Sequence, residues 1–181
     1  MRTRGEVSGR KRIAAKLLAM IVIGLVGSTE ARAGGACALI PIASDPSEKV
    51  LKCGDALTVR PAHGTHYRPL YSAGQALPSA IRLDDGALLI DFHPVGPGDL
   101  QILTPLAIAG VRGTKWAMEV NPTRTSTLVL EGAVAVTNRR LNEYVVLTAG
   151  QGVDVTASDT TMVQKQWGQA RVRALLSRFG E

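Results

Sequence analysis

Three histidines are the residues of this 181-residue chain whose type could support metal chemistry. Imidazole is a common zinc ligand, and the three stand at His63, His66 and His93. His63 and His66 are three residues apart in a loop rich in proline and glycine, and this arrangement is not that of a helical or hairpin pair of metal ligands. The pattern therefore favours solvated loop histidines, with a metal-dependent enzyme as the less favoured interpretation.

Three carboxylates are the second group of residues that could do chemistry. Pairs of such acids hydrolyse glycans by acid and base catalysis in glycosidases. The three carboxylates here are Asp84, Asp85 and Asp91. The first two precede Gly86 in a predicted tight turn, where aspartate caps its own backbone. No serine lies in the Gly-x-Ser-x-Gly pattern of a nucleophile elbow. The sequence therefore predicts no catalytic residue, no metal and no cofactor.

The third group is Arg112, Gly113 and Thr114. The glycine permits a tight turn, the threonine hydroxyl can close it, and the guanidinium offers five donors to an acidic group. Glu119 and Glu131 lie on neighbouring segments. We expect an internal ion pair between Arg112 and one of these glutamates, and contact with a ligand or partner is the alternative.

Glycines recur just before the predicted strands that would position these groups. Gly113, Gly132 and Gly152 each precede a short run of β-forming residues, and successive glycines are 19 and 20 residues apart. A period near 20 residues is that of a β-solenoid coil. The predicted fold is all-β, a β-solenoid-like stack of short strands, with an open sandwich or barrel as the alternative. Aromatic residues are few, so we expect a core of valine, leucine, isoleucine and alanine.

The predicted organisation has three parts after the first 33 residues. Residues 34–79 are predicted as an N-terminal strap and loop, because of the proline, serine and aspartate content of residues 36–54 and the proline and glycine content of residues 61–79. A short strand is predicted between them, over residues 57–60. Residues 80–160 are predicted as the β domain, and they include a hairpin that turns at Gly86. Residues 161–181 have helical spacing of apolar side chains, and they are predicted as a helix that caps one end of the stack.

Residues 1–33 have the three parts of a secretory signal peptide. A basic start precedes an apolar run over residues 17–26, and Ala31, Arg32 and Ala33 form a small-x-small cleavage site. Ten apolar residues span about 15 Å of a hydrocarbon core of about 30 Å, which favours cleavage over a retained anchor. Periplasmic localisation follows, with no stable membrane span after cleavage.

Most of the formal charge of +6 lies in this leader. The other 148 residues carry 14 basic and 13 acidic side chains, a net charge of +1. A nearly neutral exported part does not require a polyanion, so nucleic acid is not expected as a partner.

Two cysteines, Cys37 and Cys53, remain after cleavage. An oxidising compartment favours a disulfide between them, although two inert thiols are the alternative. Such a bridge stabilises the fold by about 3 kcal/mol in the chain-entropy model.

One stretch of motifs resembles the periplasmic FecR domain over roughly residues 83–156. The residues that carry the resemblance are Thr104, Pro105, Val111, Arg112, Gly113, Thr114, Glu131 and Gly132. The best-known members of that family are iron-dicitrate sensor regulators, which receive a signal from an outer-membrane receptor and control a sigma factor. The resemblance implies a β-solenoid-like periplasmic module that acts through protein contacts.

The chain also departs from those regulators. The residues before the apolar run are too few for their cytoplasmic domain, and the receptor-contacting subdomain has no evident counterpart. We therefore expect an exported, non-enzymatic protein that contacts an envelope protein of unknown identity in signal sensing or regulation. The alternative is an envelope glycan-binding or glycan-processing protein, which would need exposed aromatic side chains. The candidates are Trp116, Tyr67, Tyr71 and Tyr144.

Overall fold

The computed structural model describes residues 37–42, 45–93, 96 and 98–181, so the predicted signal peptide lies outside the described residues. Most of the described part is β-strand, as the sequence predicts. The strands are β1 (Ala38–Ile42), β2 (Asp45–Cys53), β3 (Leu57–Pro61), β4 (His66–Leu70), β5 (Ala80–Phe92), β6 (Leu100–Leu103), β7 (Ala107–Val111), β8 (Thr114–Asn121), β9 (Arg124–Glu131), β10 (Ala133–Asn138), β11 (Tyr144–Thr148), β12 (Gln151–Thr156) and β13 (Lys165–Gln166). A helix, α1 (Gln169–Leu176), and a 3₁₀ turn (Ser177–Phe179) follow.

The strands form one curled sheet with two halves that share β5. The first half-sheet has the order β11, β10, β7, β6, β5, β4, and the second has the order β13, β12, β9, β8, β5, β3, β2, β1. Strands β5 and β6 pair in parallel. The other pairs of described strands are antiparallel. The result is a curled half-barrel.

Strand β5 turns the corner between the two half-sheets at Gly86. Its first part pairs with β4 and β6, and its second part, from Gly86 onward, pairs with β3 and β8. Gly86 has φ +92°, and a Cβ there would lie 2.5 Å from the Thr65 hydroxyl oxygen. The prediction of a hairpin at Asp84 and Asp85 was wrong, because the positive φ serves a bend within one long strand.

The pairing also differs from that of stacked solenoid coils. The strands that begin near Gly113, Gly132 and Gly152 are β8, β10 and β12, and none of these pairs with another. Instead β8 and β12 both pair with β9, while β10 pairs with β7 and β11. The recurring glycines therefore mark turns and close approaches in a mostly antiparallel sheet, not one repeated coil.

The core lies between the inner faces of the two half-sheets. Strand residues alternate between faces, so Val134 and Val136 of β10 are buried while Ala133 and Ala135 are exposed. Trp116 is fully buried among aliphatic side chains from both halves. The core is largely aliphatic, as expected from the few aromatic residues.

The predicted strap and loop over residues 34–79 is more regular than expected. Strands β1 and β2 form an antiparallel hairpin, and β4 lies in the segment predicted as loop. Both prolines of this hairpin occupy positions where a strand tolerates proline. Pro41 is on the edge strand β1, and Pro46 is near the start of β2, where the register between the two strands shifts. A disulfide joins Cys37 to Cys53 across this hairpin, as the sequence predicts for an oxidising compartment.

The C-terminal helix packs on the outer face of the second half-sheet and not on the end of a stack. We call this outer face the covered face, because the C-terminal segment buries it. The buried cluster between them consists of Ala62, directly after β3, Ala87, Leu89, Ala117 and Leu128 of the sheet, and Trp167, Leu175 and Phe179 of the C-terminal segment. Within the described residues, no helix has the length and apolar character that a membrane crossing requires.

Candidate functional site

Thr104 and Pro105, the first residues of the motif, build a turn between β6 and β7. The Thr104 hydroxyl oxygen lies 2.8 Å from the Ala107 carbonyl oxygen and accepts the Ala107 N–H at 2.9 Å. It also lies 3.0 Å from the hydroxyl oxygen of Thr125 on β9. Thr104 is buried and Pro105 is exposed, so the threonine fixes the turn and links it to the second half-sheet.

Gly113, Thr114 and Gly132 form a tight contact where β8 begins and β9 ends. Both glycines have positive φ, +71° and +79°. A Cβ at Gly132 would lie 2.7 Å from Thr114 Cγ2 and 2.9 Å from the Gly113 carbonyl oxygen. These motif residues therefore fix backbone geometry.

Arg112 is a charged motif residue that lies exposed to solvent. Its Nε donates to Asp99 Oδ1 at 2.6 Å, and its side chain is 83% exposed. The hydrogen bond to Asp99, with the Asp99 charge, raises the pKa of Arg112. The expected pairing with Glu119 or Glu131 was wrong. Glu119 pairs with Arg178 instead, and Glu131 is exposed.

We call the outer face of the first half-sheet the open face. Arg112 borders a shallow groove on this face. The groove has a volume of about 340 Å³. Small or apolar residues from β7, β10 and β11 form its floor, namely Gly110, Ala133, Ala135 and Val146. Val146 is 49% exposed, and Tyr144, two residues earlier on β11, is 69% exposed. An exposed apolar strip beside polar groups is typical of a protein interaction surface.

The covered face differs, because charged side chains hold α1 on it. Arg171 donates two hydrogen bonds to Asp154, at 2.5 and 2.9 Å, and its guanidinium lies 3.5 Å from the centre of the Trp167 ring. Ser126 also donates to Asp154, at 2.6 Å. Burial alone would raise the pKa of Asp154, but Arg171, Ser126 and Arg124 together lower it. Sequence analysis missed this group, because its members are distant in the chain.

The histidines considered as zinc ligands are dispersed among other contacts. His63 Nδ1 lies 3.2 Å from a Glu48 oxygen, and His93 Nε2 lies 2.6 Å from Asp91 Oδ1. His66 is on β4, opposite Asp85. The described part of the chain holds no group of three or more His, Cys, Asp or Glu side chains suited to a metal ion.

The aspartates considered for glycan hydrolysis also have structural neighbours. Asp84 accepts a hydrogen bond from Arg82 at 2.8 Å, on the exposed side of β5. Asp91 is further along the same strand, beside His93. Of the aromatic candidates for sugar stacking, Trp116 is buried in the core and cannot meet a ligand.

Comparison with known proteins gives one family and one fold. The family described as FecR protein matches residues 44–135 of this chain. No curated protein matches it. Two crystal structures of a proposed anti-sigma factor from Parabacteroides distasonis ATCC 8503 are similar, with TM-scores of 0.57 and 0.55 and 14% sequence identity. Each match covers 79% of this chain and 61% of the other, so the likeness concerns the fold.

Proposed function

This chain belongs to the FecR protein family, and from that premise we propose that it is an exported, non-enzymatic protein acting through protein contacts in the cell envelope. Its role is signal sensing or regulation. The structural neighbours, described as anti-sigma factors, support a regulatory role, although this chain spans only 61% of their length.

One observation carries the proposal: Arg112 of the family motif and the exposed apolar residues of β11 lie on the same open face. The covered face is equally a sheet surface, yet the chain buries it under its own C-terminal segment. Val146 and Arg112 both border the groove of the open face. We assign this face to the envelope protein partner.

Two further observations support the remaining parts of the proposal. The disulfide between Cys37 and Cys53 suits an oxidising compartment such as the periplasm, in agreement with the signal peptide predicted over residues 1–33. The three histidines considered for a metal-dependent enzyme lie apart, His63 beside Glu48, His66 on β4 and His93 beside Asp91. This arrangement favours a binding protein over an enzyme.

The alternative is an envelope glycan-binding or glycan-processing protein. Because Trp116 is buried, this alternative depends on the three tyrosines. Tyr144 is isolated on β11, while Tyr67 and Tyr71 border one groove near the N-terminal hairpin. A solvent-exposed tyrosine can stack on a sugar, but an isolated one does not select a glycan.

Site-specific crosslinking in cells tests the proposal. A photo-crosslinking amino acid replaces Val146 on the open face, and the matched control replaces Arg173, an exposed residue of α1. We expect covalent capture of one envelope protein from Val146 and not from Arg173. Capture of the same proteins from both positions, or of none from Val146, would contradict the assignment of the open face.

A further inference from the structure

A second groove lies between the N-terminal hairpin and β4, and we call it the hairpin groove. It has a volume of about 500 Å³, within the range of ligand-binding clefts. Its apolar lining includes Leu39 and Leu51 of the hairpin and Tyr67, Pro69 and Tyr71 of β4 and the residue after it. Leu39 is 57% exposed and Tyr71 is 49% exposed, so large apolar surfaces meet solvent here.

Two edge strands border the hairpin groove. In the described part of the sheet, β1 pairs with β2 alone and β4 pairs with β5 alone. Each of these strands contains a proline, Pro41 in β1 and Pro69 in β4. Proline has no N–H, and proline on an edge strand opposes pairing with an added strand. The groove therefore suits an occupant held by side-chain contacts, without a β ladder.

The polar groups of the groove are mainly hydrogen-bond donors. Glu48 is engaged, since its Oε1 accepts the Gly64 N–H at 3.2 Å and lies 3.2 Å from His63 Nδ1. Lys49 lines the groove, and its exposed side chain forms no ion pair or hydrogen bond with any described residue. Burial first, then the charge of Glu48, raises the pKa of Tyr67, so this phenol stays protonated and can donate.

We propose that the hairpin groove binds an extended, proline-containing segment of a partner protein that carries an acidic residue beside the prolines. A polyproline II helix has no internal hydrogen bonds, so its carbonyl groups can accept from Tyr67 and Tyr71. Tyrosine and proline rings form the apolar walls that such helices contact in other recognition modules. The free ammonium of Lys49 complements the acidic residue.

A sugar fits these polar groups less well. Sugar hydroxyls donate as well as accept, and Glu48, the carboxylate at this groove, already has two neighbours. A second copy of the chain is also less suitable, because both edges at the groove contain proline. These two occupants are outcomes that the experiment separates from the proposed one.

The test titrates the purified, disulfide-bonded protein with a ten-residue peptide of alternating proline and glutamate, followed by NMR chemical shifts. We expect shifts at the hairpin groove, and about a tenfold loss of affinity for Tyr71→Ala. The control, Val163→Ala, removes an exposed apolar side chain outside both the hairpin groove and the open face, and it leaves the affinity unchanged. Lys49→Glu weakens this peptide and strengthens a peptide of alternating proline and lysine.

Four outcomes would overturn the proposal. The first is the absence of shifts at millimolar peptide, and the second is equal shifts with a peptide of alternating glycine and glutamate, which would indicate charge alone. The third is saturable binding of chitotetraose at the groove without binding of the proline peptide. The fourth is a change of the same signals with protein concentration alone, as a second copy would give. None of these bears on capture at Val146, so the two proposals fail separately.

Discussion

At the scale of single residues, Gly132 is the position where the family motif constrains the backbone most. Its φ of +79° disfavours any L side chain, and a Cβ would also contact Thr114 and the Gly113 carbonyl at less than 3 Å. Gly113 shares the positive φ but has its nearest atom at 3.9 Å. We expect Gly113→Ala to lower the free energy of unfolding by about 1 kcal/mol and Gly132→Ala by about 3 kcal/mol.

Gly110→Ala is the matched control, because that glycine lacks positive φ and has no atom within 4 Å of a built Cβ. Its free energy of unfolding should stay within about 0.5 kcal/mol of the original. Urea denaturation of the three variants gives the comparison. Equal values for Gly132→Ala and Gly110→Ala would show that the contact with Thr114 does not constrain the fold.

Single residues also show how far the sequence predicts local structure. The positive φ at Gly113 and Gly132 was predictable, because a turn before a strand commonly needs it. The role of Gly86 was not, since an Asp-Gly pair suits both a hairpin turn and a bend in a continuous strand. The partner of Arg112 could not be predicted either, because Asp99 becomes its neighbour only when β6 and β7 pair.

At the scale of elements, the ion pair between Arg171 and Asp154 makes the attachment of α1 sensitive to pH. The pKa of Asp154 is lowered in the folded protein, so its contribution to stability is present above the unfolded pKa of about 4. The contribution disappears as the pH falls through the folded value. Asp154→Asn should lower the free energy of unfolding by about 1 kcal/mol at pH 7, since the pair is partly exposed, and by much less at pH 2.

Asp55→Asn provides the control for this pH dependence. Asp55 is exposed in the turn between β2 and β3, and it carries the same charge without a side-chain partner among the described residues. Its substitution should leave stability nearly unchanged at both pH values. A constant difference between Asp154→Asn and the original protein from pH 7 to pH 2 would exclude the electrostatic explanation.

The disulfide between Cys37 and Cys53 should make a measurable contribution to the stability of the β1–β2 hairpin. It joins residues 16 positions apart and ties the start of β1 to the end of β2. The double substitution of Cys37 and Cys53 by serine should lower the free energy of unfolding by about 3 kcal/mol in the chain-entropy model. Thermal unfolding with and without reductant checks this. An unchanged melting temperature on reduction would contradict a stabilising role for the bridge.

At the scale of the whole molecule, the sequence predicts the class of the fold better than its topology. The strands and the C-terminal helix follow from local patterns, such as the alternation around Val134 and Val136. The solenoid prediction depended on the spacing of Gly113, Gly132 and Gly152, but equal spacing does not specify which strands pair. Pairing is decided by contacts between distant segments, so a similar glycine spacing also fits a mostly antiparallel sheet that curls at Gly86.

The curled sheet has two outer faces, and their difference leads to the last prediction. Leu175 is buried on the covered face, and Val146 is exposed on the open face. Leu175→Asp places a carboxylate in an apolar contact and should lower the free energy of unfolding by about 3 kcal/mol or more. Val146→Asp adds the same carboxylate at a half-exposed strand position, so its unfolding free energy should fall by only about 1 kcal/mol, the span of β-propensity.

Partner capture should show the reverse order, with the larger loss in Val146→Asp and the smaller loss in Leu175→Asp. With the crosslinking amino acid moved to Ala135, which borders the same groove as Val146, Val146→Asp should abolish capture of the envelope protein, because the carboxylate would lose water in the interface. Leu175→Asp should preserve capture in whatever fraction stays folded. Loss of capture in both variants in proportion to the unfolded fraction would mean that the open face contributes only to folding, while retained capture in Val146→Asp would place the partner on another surface.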